Sequence, residues 1–409
     1  MAMKQTQTKM FDFADVGLDF CSGSKNLFPD RFKKMLSQGY NEQTVLSVSV
    51  TGNQVTLNYG VAHGYAADRV LKINSGPLVA INGGEFWIDA VTTTSVTMTI
   101  DAAPISIAGG FVTKIAPLGW QLVFEQANIH VYQFKKLDET NLFIRLCFQN
   151  NASFRNVISP CIGLTCDVLT GFITDTETYL ANADISTPNQ AALGWEYQWQ
   201  ASNSYNASNY SGGYSLFGKG MIIGSMYHLI SMHNVNSNNF TKRVCGVLPS
   251  MTHYFDTTPV LIGEVSNLAM SSYGEQLMLT KSAAFIKNTR VIFANTLRNI
   301  ALIENTVDGV QQAYSSYVPT QIDNFQTTTC EPIPLYIANN GQHLGYISGG
   351  LYRAKYDATN TPAITPTASP NITTDIDLGN KVLLQLIASN FTLSNSVFFA
   401  APIEEIKIA

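Results

Sequence analysis

The feature that most constrains this chain is an alternation of apolar and polar residues with period two, repeated in short runs from about Thr44 onward. In Val96 to Ile100, Val96, Met98 and Ile100 share one face and Thr97 and Thr99 the other. That is the pattern of a half-buried strand, because successive side chains of a strand point to opposite faces. The runs are rich in Val, Ile, Thr, Tyr and Phe, whose branched or aromatic side chains pack well on a pleated surface. The chain is therefore expected to be mainly β. Its 409 residues exceed the usual allowance of about 150 per domain, so two or three folding units are expected.

One stretch breaks the alternation. Asn26 to Tyr40, NLFPDRFKKMLSQGY, reads as a short helix with Pro29 near the first turn, Asp30 favouring the positive N-terminal end and Gly39 as the stop. Phe32, Met35 and Leu36 fall on its buried face. The expected layout is a main β domain built from residues 1–43, with their arm and helix, and residues 118–409. Between them lies a self-contained module at residues 44–117.

Within that module the runs VLSVSV, QVTLNY, RVLKI, EFWIDAV, SVTMTI and FVTKI alternate with turns such as Thr51-Gly52-Asn53-Gln54 and Gly83-Gly84. Short strands at this spacing predict a small sandwich or barrel. His63-Gly64-Tyr65 with Asp68 reads as a turn held by glycine and an Asp side chain. Beyond Leu118 come further strands, a loop-rich region at 175–216, GMIIGSMYHLISM, and a Pro/Thr-rich loop at 359–374. Leu277 to Asn305 is ambiguous between strand and helix, and its β-branched runs favour strands. No internal repeat is found.

Charge narrows the function classes. Lys plus Arg is 24 and Asp plus Glu is 29, for a net charge of −5, and 13% of residues are charged, against roughly 25% in ordinary soluble domains. Nucleic-acid binding through a basic surface is excluded on that balance. A neutral Asn/Ser/Thr/Gln/Tyr surface suits subunit interfaces or carbohydrate contact. The apolar stretches are too short to span a membrane as a helix. The opening MAMKQTQTKM lacks an apolar signal core, so the chain is expected to stay in the cytoplasm that made it, and the N-x-S/T sequons carry no glycan there. Six dispersed cysteines are expected as free, mostly buried thiols.

Catalytic and metal motifs are weak. Gly213 to Lys219 has the spacing of a phosphate-binding loop, but Gly220 stands where a Ser or Thr should hold magnesium, and a strand follows where a helix should open. Cys161 and Cys166 form C-x4-C without a second pair, and the six histidines offer no H-E-x-x-H arrangement. No cofactor or metal is expected, and no catalytic residue is nominated. The stretch with a contact-type composition is Trp195 to Tyr214, WEYQWQASNSYNASNYSGGY. There Trp195, Tyr197, Trp199, Tyr205, Tyr210 and Tyr214 are interleaved with Asn, Ser and Gly, the mixture binding loops use. Packing within the chain or against a neighbouring subunit is favoured over glycan recognition.

The helix with FKKMLSQGY, Gly119-Trp120 followed by FEQANIHVYQFKK, the strand LFIRLCFQ, FGKGMIIGSMYHLIS, and PIPLYI with GYISGGLYRAKY together resemble virion structural proteins of tailed bacteriophages. Such proteins carry an inserted immunoglobulin-like module marked by a phrase of the type A-H-G-Y/F-x-x-D-R-V, which Ala62 to Val70 matches. One departure is Ser225 after Ile223-Gly224, where relatives often have an acid. The resemblance implies a β-sandwich-like main domain with an inserted immunoglobulin-like module in a non-enzymatic particle component. Tail or baseplate is the first expectation, capsid or neck decoration the second, and a host-glycan-binding receptor protein the third. The expected partners are other virion proteins and copies of itself, with host surface glycan for the third reading, and neither nucleic acid nor membrane insertion.

Overall fold

The computed structural model describes residues 8–20, 27–151, 156–178, 180–188, 193–197, 219–234, 242–254, 256–266, 283–293, 329–355, 370–374, 381–388 and 396–403. The chain is mainly β, and every strand pairing among these residues is antiparallel. The predicted helix begins at Phe28 with Pro29 in its first turn. From Lys34 to Gln38 it widens into a π turn that Gly39 ends at φ +76°, a conformation glycine adopts without a Cβ penalty. Phe32, Met35 and Leu36 are fully buried, so the helix is a plug on the core.

Residues 40–115 form two four-stranded sheets whose strands pair with one another. One has the order Tyr40–Thr44, Val112–Ile115, Val70–Ile73, Glu85–Trp87; the other has Ser47–Thr51, Gln54–Asn58, Ser95–Thr99, Ala90–Val91. The run EFWIDAV divides at Ile88-Asp89, its first half in one sheet and its second in the other. Val96, Met98 and Ile100 are buried. Gly52, at φ +60°, takes the first position of the two-residue turn closing Thr51 on Gln54, where a hairpin demands positive φ.

Next comes a five-stranded sheet in the order Gln121–Gln126, Ile129–Lys135, Asn141–Phe148, Asn156–Gly163, Trp195–Tyr197. A second five-stranded sheet holds Thr329–Pro332, Tyr352–Lys355, Ser396–Pro402, Lys381–Ala388 and Asn371–Thr374.

The largest sheet has ten strands and curls. It starts at Lys9–Asp12 and runs through Lys219–Gly224, Leu229–Asn234, Lys242–Leu248, Val260–Ser266, Ala283–Ile286, Thr289–Ile292, Pro334–Ile337 and His343–Ile347 to Ser250–Thr252. That last strand continues Lys242–Leu248 past Pro249. The curl therefore returns to one of its own members, with Pro249, which has no N–H to give a ladder, between the two strand segments. Of Leu277 to Asn305, the described parts are strands, as the β-branched runs suggested.

Two apolar clusters follow. One joins the helix, the N-terminal Phe11 and Phe13, residues of 40–115 such as Leu71 and Val55, and the 118–197 strands. The other joins Val244, Ile262, Val291, Leu335 and Ile347 of the curled sheet to Phe399 and Ala401 of the last five-stranded sheet. The stretch 40–115 thus pairs its strands internally while sharing its apolar core with its surroundings.

Candidate functional site

Of the six aromatic contact candidates, Trp195 and Tyr197 lie on a described strand and are fully buried. Trp195 donates its indole N–H to the Ile262 carbonyl at 2.8 Å. Tyr197 stacks on His233 at 4.4 Å between ring centroids and meets Phe28 and Phe32 at 5.5 Å. These two are core residues and offer nothing to a partner, which corrects their grouping with the contact residues. The W-E-Y spacing itself carried the warning, since period two places Trp195 and Tyr197 on one face. Trp199, Tyr205, Tyr210 and Tyr214 lie outside the described residues, as does Gly213 to Gly218 of the phosphate-loop look-alike. Its Lys219 and Gly220 open a strand.

The Ala62 to Val70 phrase is a structural joint. The Tyr65 N–H donates to His63 Nδ1 at 2.9 Å, so the other ring nitrogen, 3.2 Å from the Ser95 carbonyl, is the one that donates. Gly64, at φ +72°, packs on Val16, where a Cβ would come within 3.0 Å. The Tyr65 hydroxyl donates toward the Asn41 carbonyl at 2.8 Å. Arg69 reaches Asp15 with two hydrogen bonds, and Lys9 pairs with Glu85 at 2.8 Å while donating to the Pro117 carbonyl at 2.6 Å. His63 and Arg69 are thereby occupied in holding the turn and the N-terminal arm together.

The Gly119-Trp120 segment and the strand Lys219–Gly224 meet at Ser225. The Trp120 indole donates to the Ser225 carbonyl at 2.8 Å. The Ser225 hydroxyl accepts from the Tyr227 N–H at 3.1 Å and lies 2.8 Å from His228 Nδ1. Ser225 is thus buried and forms a turn, and burial pushes His228 down to about 3.

Surface apolar groups gather on a small hairpin that composition did not single out. Cys166–Asp167 pairs with Phe172–Ile173, and at its tip Leu169 is 84% exposed and Val168 54%. Leu164 and Phe172 are also exposed nearby. Hydrogen bonds tie the tip down: Asp167 accepts from the Leu169 N–H and the Thr170 hydroxyl at 2.8 Å each, and its carbonyl accepts from the Gly171 N–H at 2.7 Å. Beneath it, fully buried Arg145 donates to the Gly171 carbonyl at 2.9 Å and lies 5.7 Å from the Phe172 ring centre. Apolar side chains on a hydrogen-bonded turn suit a contact surface, because the backbone beneath them has little left to order on docking.

None of the described cysteines, Cys147, Cys161, Cys166, Cys245 and Cys330, is in a disulfide. Burial pushes Cys147 up to about 11 and Cys161 up to about 12, a direction that disfavours the reactive thiolate. No group of three His, Cys, Asp or Glu side chains suited to a metal ion occurs among the described residues. Comparison with models of protein families and with curated proteins gives no match.

Proposed function

We propose that the chain is a non-enzymatic structural component of a tailed-bacteriophage particle, of the tail or baseplate, acting through contacts with other virion proteins and with copies of itself. The observation that carries the reading is the apolar hairpin, with Val168 and Leu169 exposed on a turn hydrogen-bonded by Asp167 and Arg145. A large exposed apolar side chain on an ordered turn is the kind of anchor that a neighbouring subunit covers. The ordered series of likenesses to phage structural proteins in the sequence supplies the particle context, and a neutral polar surface is compatible with extensive subunit contact.

The test is a cryo-EM reconstruction of the intact particle made with the wild-type chain and with Leu169→Asp. Density for the chain in tail or baseplate, with a neighbour covering residue 169 and poor incorporation of the variant, is the expected result. Density on capsid or neck moves the protein to the decoration alternative. Normal incorporation with lost adsorption to host cells moves it to the glycan-binding alternative, and absence from the particle overturns the proposal.

A further inference from the structure

His253 and His343 are 90 positions apart in sequence, yet Nε2 of the first lies 2.7 Å from Nδ1 of the second. His343 opens the strand His343–Ile347, and His253 directly follows Ser250–Thr252, the strand that returns the curled sheet to itself. The closure consists of the pairs Ser250 with Ile347, Met251 with Tyr346 and Thr252 with Gly345. Beyond them the His253 N–H donates to the Leu344 carbonyl at 2.9 Å. The two imidazoles are the side-chain link at the end of this seam.

We propose that His253 and His343 form a binding site for a divalent late transition-metal ion, Cu2+ above Ni2+ or Zn2+, that bridges the closing seam of the curled sheet. Three observations carry it. The two nitrogens already stand near the separation of adjacent ligands of one ion, which would sit to the side of their present hydrogen bond: at metal–nitrogen bonds of about 2.0–2.1 Å, two ligands in square or tetrahedral arrangement stand roughly 2.8–3.4 Å apart. The existing 2.7 Å needs to open by only a few tenths of an ångström.

The rings are also positioned. His343 packs between Tyr336 at 5.2 Å and Tyr346 at 4.8 Å between ring centroids. Thr252 fixes the turn after its strand by accepting from the Tyr254 N–H at 3.3 Å and the Asp256 N–H at 3.2 Å. Finally, the site is open to solvent, since His253 and Tyr346 are exposed. Water can therefore complete the coordination sphere.

In the metal-free pair one ring donates and the other accepts. When an ion enters, the donating ring moves its proton to its other nitrogen, both facing lone pairs bind the ion, and no proton is released. Neutral imidazole nitrogens suit copper, nickel and zinc, and the affinity order among these ions follows the usual preference for Cu2+. No third His, Cys, Asp or Glu completes a three-residue metal group among the described residues, so the site is a two-ligand clasp.

The test is calorimetric titration of the full-length, chelator-treated protein with Cu2+, Ni2+ and Zn2+ separately, for wild type, His253→Ala and His343→Ala. Electron paramagnetic resonance of the Cu2+-loaded wild type gives a readout that does not depend on the variants folding. The expected result is one Cu2+ per chain with two equatorial imidazole nitrogens, weakened about tenfold or more by either substitution, as loss of half the protein ligands demands. Saturating Cu2+ should raise the thermal midpoint of wild type alone, because an ion that binds the folded chain stabilises it. Absence of saturable binding below about 1 mM, which is weaker than −4.1 kcal/mol, overturns the proposal. So does a spectrum lacking two imidazole nitrogens, or affinity that survives either substitution.

Discussion

Arg69 holds Asp15 through a two-pronged ion pair, Nε to Oδ2 at 2.8 Å and Nη2 to Oδ1 at 3.0 Å, with both side chains largely shielded from water. The Tyr40 hydroxyl donates to the same carboxylate at 2.8 Å. One carboxylate therefore ties together the N-terminal arm, the residue that follows the helix stop, and the strand region opened by the Ala62 to Val70 phrase.

Removing the cation strands the anion. Arg69→Ala leaves a shielded carboxylate whose remaining partners, the Tyr40 phenol and the Asp12 N–H, carry no charge, and breaking a buried pair from one side costs about 3–5 kcal/mol. Urea unfolding of Arg69→Ala should show a loss of that size, with Arg69→Ala/Asp15→Asn recovering part of it. A loss below about 1 kcal/mol, the range of exposed pairs, would show that water reaches this joint.

The same joint bears on whether residues 44–117 are an inserted module. Its strands pair internally, yet its removal also takes away Arg69 and Glu85, the partners of Asp15 and Lys9. Replacing 44–117 by a short Gly/Ser linker should therefore give a poorly folded chain unless Lys9→Met and Asp15→Asn are added. With both present the remainder should unfold cooperatively on heating. If the doubly substituted short chain shows no cooperative transition, the insertion reading fails and the core shared across the joint is indispensable.

Trp195→Ala should destabilise the protomer itself. Truncating a fully buried Trp costs about 3–5 kcal/mol, and this one also leaves the Ile262 carbonyl without its indole donor. Chemical denaturation that finds Trp195→Ala as stable as wild type would return the residue to the surface and restore it as a contact candidate.

Trp195 also illustrates what the sequence exposes and what it hides. Local order was legible: Val96, Met98 and Ile100 alternate with Thr97 and Thr99 as their strand requires, and Pro29 and Gly39 bracket the helix. Its π turn was not, because widening depends on what the helix packs against. Composition grouped Trp195 and Tyr197 with a binding-type loop although their spacing is that of a strand. Long-range pairings such as Arg69 with Asp15, 54 positions apart, leave no local trace. Nor does the closure of the large sheet, where Ser250–Thr252 pairs with residues more than ninety positions away. The Leu169 tip likewise rests in part on Arg145, a residue on a different strand.

Acid should weaken the fold before carboxylates titrate. His228 and His233 are pushed down to about 3 by burial, and His130 to about 4 by burial against the opposing pull of Glu125. In the unfolded chain each returns to about 6.5. Between about pH 6.5 and pH 4 the unfolded state therefore binds three protons that the folded state refuses, so stability falls as pH falls. It is fully present above pH 6.5. Each histidine contributes at most about 1.4 kcal/mol per pH unit, so lowering the pH from 7.5 to 5.5 should cost roughly 4 kcal/mol. That is a large share of the roughly 5–15 kcal/mol that holds a typical domain. Urea titrations at the two pH values read the difference directly, and proton NMR should show the three imidazoles still neutral in the folded protein at pH 5.5. Equal stability at both values would mean that water already reaches these rings and that their burial is not maintained in solution.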